Sequence, residues 1–147
     1  MCTSKWYLTF FIHYLPISIV FEKDIDGVIV ALGGKTSDVG DTMLTDGTNN
    51  IMAAMKDKGV KRIAVVTSIG AGNSKDQAPF AFKILMMTVM KKIFTDKNNQ
   101  EKAVEESGLE YCIVRPGGLT VDAPTGVLTS LTEKQAVFPE QTLHSFV

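Results

Sequence analysis

The sequence predicts an α/β domain in which a parallel sheet is flanked by helices. Three continuous apolar runs rich in β-branched residues are typical of strands buried on both faces. Two stretches with helical periodicity separate these runs. The order strand, helix, strand, helix, strand gives parallel strands joined by right-handed crossovers. A length of 147 residues is sufficient for one domain with a buried core.

The first half of the domain is predicted to be a strand, a helix and a second strand. The first strand spans 27–32 and ends at Gly33-Gly34. After a polar loop, apolar residues at helical spacing predict a helix that begins near residue 41 or 46 and ends at Lys58. Gly59 follows as a left-handed C-terminal cap. The second buried strand occupies 62–67.

The second half is predicted to be a long helix and a third strand. Pro79 is predicted to begin the helix. Proline has no backbone N–H, and the N–H groups of the first helical turn have no intrahelical partners in any case. The helix is expected to continue to Glu106, with a break near Thr95-Asp96, and to end before Gly108. The third strand spans 111–115, and a further short strand is expected at 126–131. The apolar stripe of the helix is formed by Phe82, Leu85, Met86, Val89 and Ile93.

The first 23 residues form a segment of different character from the domain at 24–147. No Asp, Glu, Lys or Arg occurs from Trp6 to Phe21, and Lys5 precedes this stretch, as in a signal peptide. His13 and Pro16 within the stretch argue against one, and a membrane span needs ~20 apolar residues. Three alternatives stay open: a targeting or anchoring segment, a packed strand or helix, and sequence foreign to the fold.

Composition excludes several classes of function. A net charge of −1 gives no basic surface for nucleic acid. His13 and His144 have no ligand-spaced partners, so no metal site is expected. Cys2 and Cys112 are typical of free thiols in a reducing compartment, which favours a cytoplasmic location. A membrane partner is not expected.

The ends of the predicted strands carry the candidate binding residues. In open parallel sheets, ligands bind beyond the carboxyl ends of the strands. Those ends are Gly33-Gly34, Thr67-Ser68 and Pro116-Gly117-Gly118, and glycine lets a ligand approach the backbone closely. Ordinary strand-to-loop breaks are equally compatible with these residues. We expect the Ser68 side chain, the Gly33 backbone and Pro116 to face one shared crevice.

Several short motifs resemble the short-chain dehydrogenase/reductase family. The combined pattern is most similar to its atypical, NmrA-like branch, which includes NAD(P)H-binding flavin and biliverdin reductases. The resemblance covers roughly Asp24 to Val127 and implies a Rossmann-like fold. The motifs are Asp46-Gly-Thr-Asn-Asn50, Ala53-Ala54, Gly59-Val-Lys-Arg62, Val65-Val-Thr-Ser68, Ser107-Gly-Leu-Glu-Tyr111 and Ile113-Val-Arg-Pro-Gly117.

The resemblance implies a role for each strand end. The residues at the adenosine side of the dinucleotide would be Leu32, Gly33 and Gly34. Thr67 and Ser68 would lie under the nicotinamide, with the Ser68 hydroxyl bonded to the substrate or the nicotinamide ribose. A capping serine in a turn is the structural alternative. Pro116, Gly117 and Gly118 would cover the nicotinamide end.

Ser68 and Lys97 are the candidate catalytic residues that the resemblance implies. Lys97 matches the lysine that follows the catalytic tyrosine by four residues in typical members, where it bonds the ribose hydroxyls and lowers a neighbouring pKa. Ile93 stands where that tyrosine would be. The alternative for Lys97 is a surface lysine paired with Glu101. Arg115 is a candidate for contact with a phosphate or with an acidic partner. A surface salt bridge is equally compatible with its position.

The dinucleotide fingerprint Gly-x-Gly-x-x-Gly is not found in this sequence. Gly70-Ala-Gly72 is the nearest glycine pair and the first candidate for another phosphate site. The domain is therefore expected to be truncated at its N-terminal end, and at its C-terminal end as well.

The implied function is an NAD(P)H-dependent oxidoreductase that transfers hydride to an unknown small acceptor. NADP is favoured over NAD by the resemblance alone, and the partner is a small-molecule substrate. Two alternatives are a non-catalytic NAD(P)-sensing or regulatory module and an inactive fragment. A third is a structural homo-oligomer, because exposed apolar surface would promote self-association.

Overall fold

The computed structural model describes residues 25–33, 42–78 and 80–117, and the backbone of residues 6–10. Their sheet has four parallel strands, in the order β1-β2-β3-β4. The prediction of three adjacent parallel strands is therefore confirmed. The strands are β1 (Trp6–Phe10), β2 (Gly27–Ala31), β3 (Arg62–Val66) and β4 (Glu110–Val114).

The helices connect the strands as the hydrophobic pattern predicts. They are α1 (Met43–Asp57), a 3-10 helix (Gly72–Gln77), α2 (Phe80–Met87) and α3 (Lys91–Glu105). Gly59 and Gly108 follow α1 and α3 with φ angles of 71° and 75°. Both therefore adopt the left-handed conformation in which helices commonly terminate.

β1 was not among the predicted strands. Its backbone pairs with β2 in register, with Trp6 opposite Gly27 and Phe10 opposite Ala31. Of the alternatives for the first segment, these five residues fit the packed strand. Some predicted features lie outside the described residues, namely the strand expected at 126–131, Gly34, Pro79 and Gly118.

The core lies between one face of the sheet and two helices. Val28, Val30, Ile63 and Val65 project from that face into a cluster of buried side chains. The helices contribute Leu44, Thr48, Ile51, Met52 and Met55 from α1 and Val104 from α3.

The other face of the sheet carries Ile29, Ala31, Ala64 and Val66, which are half-buried. Residues of α1 and α3 in the core cluster pack on the first face. Helices on both faces were expected; this is confirmed for one face and stays a prediction for the other.

The long helix predicted before β4 is interrupted, and the interruption was placed wrongly. Thr95 and Asp96 lie inside α3. The break is at residues 88–90, where the Met90 N–H donates to the Leu85 carbonyl (3.1 Å) and the Thr88 hydroxyl donates to the Ile84 carbonyl (2.8 Å). A threonine hydroxyl that bonds the preceding turn commonly bends a helix.

The apolar stripe predicted for this helix is divided between burial and exposure. Met86 is buried and packs with Ala78 and Phe94, with Phe82 against them. Leu85 and Val89 are exposed instead. The reason is that α2 packs on α3 and on the loop around Gly70, which precedes α2. Only a narrow side of α2 is therefore covered.

Candidate functional site

The carboxyl ends of β2, β3 and β4 meet at one edge of the sheet, because the strands are parallel and in register. Beyond the strands, the Thr67 N–H donates to the Val114 carbonyl (2.9 Å) and the Ile69 N–H donates to the Pro116 carbonyl (3.0 Å). These bonds hold Ser68 beside Pro116. The structure thus brings Gly33, Ser68 and Pro116, the described strand-end residues, to one edge.

Leu32 and Gly33 contribute differently at the end of β2. The Leu32 side chain is buried in the core cluster, 2.9 Å from where a Cβ at Gly47 would lie. Leu32 can therefore meet a ligand only through its backbone. Gly33 is exposed, and an added Cβ there would meet nothing within 4 Å. The open space above Gly33 allows a ligand to approach the chain.

Ser68 lies half-buried at the end of β3. Its hydroxyl donates to the Ile69 carbonyl at 3.2 Å. This is long for a bond between oxygen atoms, which are usually 2.7–2.8 Å apart. A ligand oxygen or nitrogen can replace that contact at small cost.

Lys97 is half-buried on α3, and its ammonium Nζ donates to the Thr67 carbonyl at 3.3 Å. Burial lowers the pKa of Lys97, and the carboxylates of Glu101 and Asp96 partly oppose that effect. An ammonium has three donors, of which one has a partner among the described residues. Lys97 is half-buried and bonds a backbone carbonyl, so it differs from the surface lysine that was the alternative.

Of the three alternatives for Arg115, the structure fits the acidic partner, because Arg115 forms a largely buried ion pair with Glu101. Its Nε donates to Glu101 Oε1 (3.0 Å) and its Nη2 donates to Glu101 Oε2 (2.8 Å). Its Nη1 donates to Asn73 Oδ1 at 2.7 Å. Each nitrogen of the guanidinium thus has a protein partner. Side-chain exposure is 11% for Arg115 and 2% for Glu101.

The loop Gly70-Ala-Gly72 is not a phosphate site. Its N–H groups already donate within the protein: Gly70 to Ser74 Oγ (3.0 Å), Ala71 to the Ser68 carbonyl (3.1 Å) and Gly72 to Asn98 Oδ1 (2.7 Å). Phosphate cradles need several free N–H groups. This candidate from the sequence is therefore wrong.

The N-terminus of α1 carries an anion from the protein itself. Asp96 is fully buried, and its carboxylate accepts hydrogen bonds from the N–H groups of Leu44 (2.7 Å) and Thr45 (3.1 Å). Helix N-termini bind phosphate through these same groups. Asp96 therefore occupies the position that a phosphate would need.

The described residues fit one end of a nicotinamide dinucleotide. The Ser68 hydroxyl and the Lys97 ammonium suit a nicotinamide and its ribose. At the start of α1 the N–H groups of Leu44 and Thr45 already donate to Asp96, and the N–H groups of the loop at 70–72 donate within the protein. Within the same ranges no cluster of three or more His, Cys, Asp or Glu could hold a metal ion, and no helix has the length and apolar character to cross a bilayer.

The polar residues of α3 that organise this edge were not among the predicted site residues. Asp96, Asn98 and Glu101 bind the start of α1, the loop at Gly72 and the ends of β3 and β4 respectively. The available signal was polar residues at positions where a helix faces the sheet. Such a pattern is indistinguishable from a solvated face until the orientation of the helix is known.

A family profile described as NAD(P)H-binding matches residues 20–143. An uncharacterized chloroplastic protein of Arabidopsis thaliana is 36% identical over 85 residues, which are 54% of this chain and 29% of that protein. The uncharacterized sugar epimerase YhfK of Bacillus subtilis is 28% identical over 119 residues, or 79% of this chain and 51% of that protein. The chain thus spans about half the length, or less, of these relatives.

Solved structures show the same architecture. A putative NAD-dependent epimerase/dehydratase from Bacillus halodurans has a TM-score of 0.52 and 28% identity, over 71% of this chain and 46% of that one. The anaerobillin reductase ChuY of Escherichia coli has a TM-score of 0.52 and 26% identity, over 68% of this chain and 43% of that one. The resemblance seen in the sequence motifs is therefore confirmed, and with it the Rossmann-like fold. This chain belongs to the NAD(P)H-binding family, whose cofactor is a nicotinamide dinucleotide.

Proposed function

We propose that this chain carries the nicotinamide end of an NAD(P)H-dependent oxidoreductase of the atypical, NmrA-like type. One observation supports this most strongly. The Lys97 ammonium is held against the Thr67 carbonyl, next to Ser68, at the edge where the strands end. A lysine and a hydroxyl at that edge suit a nicotinamide ribose.

In this proposal Lys97 and Ser68 bind the nicotinamide ribose and orient the nicotinamide. The bound nicotinamide supplies the hydride. The donors of Lys97 that have no partner in the described structure bond the ribose hydroxyls, and Ser68 exchanges its contact with the Ile69 carbonyl for one with the substrate or ribose.

Proton supply to the acceptor falls to Lys97 or to water. Ile93 stands one turn before Lys97, where typical members have a tyrosine. Because burial lowers the pKa of Lys97, its ammonium is a better proton donor at neutral pH than an exposed lysine. Acceptors of the flavin or bilin kind, which can take a proton from water, fit a site without a tyrosine. The name of the ChuY neighbour is compatible with that class.

A non-catalytic NAD(P)-sensing module is the second candidate. The observation that favours it is the combination of Ile93 in place of the tyrosine and Asp96 at the start of α1. A module of this kind would bind the nicotinamide end of the dinucleotide without turnover.

Titration of the ¹⁵N-labelled chain with NADPH and with NADH tests the proposal. We expect weak binding, because the N–H groups of Leu44, Thr45, Gly70 and Gly72 already donate within the protein, with amide shifts concentrated at Ser68 and Gly117. Tighter binding of NADPH than of NADH would support the preference for NADP. Oxidation of NADPH in the presence of a flavin acceptor separates the reductase from the sensing module.

Ser68→Ala is the variant that tests the site. Loss of one hydrogen bond is expected to weaken dinucleotide binding by about three- to tenfold, and to lower turnover more than stability. Ser107→Ala is the matched control, because Ser107 Oγ donates to the Val104 carbonyl (2.6 Å) at the far end of α3. Equal binding by the Ser68 and Ser107 variants would contradict the assignment.

A further inference from the structure

A single carboxylate on α3 binds the ends of two strands. Glu101 Oε1 accepts hydrogen bonds from the Thr67 hydroxyl at 2.6 Å and from Arg115 Nε at 3.0 Å. Its Oε2 accepts a bond from Arg115 Nη2 at 2.8 Å. Thr67 is the first residue after β3, and Arg115 is the first after β4. Glu101 therefore fixes where both strands end.

The loop after β3 docks onto the same ion pair. Arg115 Nη1 donates to Asn73 Oδ1 at 2.7 Å. Gly72 packs so closely that a Cβ there would overlap Glu101 Oε2 and lie 2.8 Å from Arg115 Nη2. The loop, the two strand ends and α3 thus meet at one buried ion pair.

These contacts lie one residue away from the proposed nicotinamide site. Ser68 directly follows Thr67, and Pro116 directly follows Arg115. Lys97 lies one turn before Glu101 on α3 and donates to the Thr67 carbonyl. A shift of Thr67 would move the Ser68 hydroxyl and the acceptor of Lys97 together.

We infer that Glu101 is a positioning residue of the nicotinamide site, which sets the relative places of Ser68, Lys97 and Pro116 by holding Thr67 and Arg115. The inference rests on the proposed function. Glu101 itself does not touch a cofactor, because its side chain is 2% exposed and both oxygens have protein partners. Small displacements of binding groups in preorganised sites have large effects on binding and rate.

Glu101 also acts on the charge of Lys97. Its carboxylate favours the ammonium form and so raises the pKa of Lys97 against the larger, lowering effect of burial. Removing that carboxylate should lower the pKa of Lys97 further. Asp96 of α3 acts on Lys97 in the same direction as Glu101, and Arg115 after β4 is paired with Glu101. Asp46 of α1 and Lys75 and Asp76 of the 3-10 helix are exposed to solvent.

The test compares Glu101→Gln with a control of similar burial. Thr48→Val removes the hydroxyl that accepts from Gln100 Nε2 at 2.8 Å, a buried bond between α1 and α3 that touches no strand end. NADPH binding is followed by amide chemical shifts. The ionisation of Lys97 is followed by the ¹³C chemical shift of Cε, the carbon that carries its ammonium group.

We expect Glu101→Gln to weaken NADPH binding by about tenfold and to lower the pKa of Lys97, whereas Thr48→Val leaves both unchanged. If Glu101→Gln does not fold, Thr67→Val removes one of its hydrogen bonds and keeps the pair with Arg115. A smaller loss of NADPH binding is then expected.

The inference is overturned if the Glu101 variant, or the Thr67 variant in its place, binds NADPH as tightly as the control does. If the wild-type chain binds neither NADPH nor NADH, the proposed function fails and the positioning role falls with it. The two failures are distinguishable, because the second is seen in the wild type before any variant is made.

Discussion

At the scale of single residues, Gly70 and Gly72 constrain the loop after β3. Their φ angles are 90° and 55°, in the left-handed region that favours glycine. A Cβ at Gly70 would overlap the Met86 side chain, and one at Gly72 would overlap the Glu101 carboxylate. The glycines therefore let the loop pack closely against its neighbours, and its own side chains and α3 use the amides that a ligand would need.

Gly72→Ala should destabilise the protein by about 3 kcal/mol, the sum of left-handed backbone strain and displacement of a buried ion pair. Two variants separate these causes. Gly59 has a φ of 71° but open space around a Cβ, so Gly59→Ala should cost only about 1 kcal/mol. Gly33→Ala meets neither problem and should be close to neutral. Urea unfolding gives each value; equal losses at Gly72 and Gly59 would show that the close packing is unimportant.

At the scale of elements, α1 depends on a residue far away in the chain. Its N-cap residue, Thr42, makes no capping hydrogen bond with its side chain. Asp96 of α3 supplies that cap instead and also accepts a hydrogen bond from the Thr45 hydroxyl. The start of α1 is thereby fixed to the middle of α3, at the edge where the strands end.

Asp96→Ala should lower the free energy of unfolding by about 2 kcal/mol, because two buried N–H groups lose their partner. Asp46→Ala is the control. Asp46 also lies in the first turn of α1, but it is exposed and accepts from the Thr42 hydroxyl at 2.8 Å. Its removal should cost about 0.5 kcal/mol. Chemical denaturation of both variants measures the difference, and an Asp46 effect as large as that of Asp96 would refute the long-range cap.

At the scale of the whole molecule, α2 presents an apolar stripe to solvent. Phe80, Ile84 and Met87 follow one another at helical spacing and are 79%, 51% and 74% exposed. Stripes of this kind mark contact surfaces or promote association. The expected self-association therefore remains a prediction of ours, and α2 is the surface that we assign to it.

Replacing the stripe by Phe80→Ser, Ile84→Lys and Met87→Gln together should remove any concentration dependence of the sedimentation coefficient. Tyr111→Ser is the control, because Tyr111 is also exposed, at 49%, but lies on β4. It should leave association as in the wild type. A wild-type chain that sediments as a monomer at every concentration would contradict the prediction, and an effect of Tyr111→Ser would place the contact elsewhere.

The hydrophobic pattern of the sequence predicts β2, β3 and β4, their order and the edge where a ligand would bind. Apolar runs and helical spacing are local properties, so β2, β3 and β4 could be predicted within one residue and α1 within three. Strand-end positions such as Ser68 follow from that order alone, and Lys97 was found by its resemblance to a family motif. The break between α2 and α3 was misplaced, because propensity near Thr95 is weak and packing on α3 decides where α2 ends.

Only the tertiary structure decided the partners of the polar residues. Asp96 is 52 residues from Leu44, and Glu101 is 34 residues from Thr67. No local pattern tells such a carboxylate from one that faces water. Their partners are fixed when α3 packs beside α1 over the sheet, since burial then requires each charged group to find a donor. The same packing uses the amides of Gly70-Ala-Gly72 and the guanidinium of Arg115, which the sequence alone left available for a phosphate.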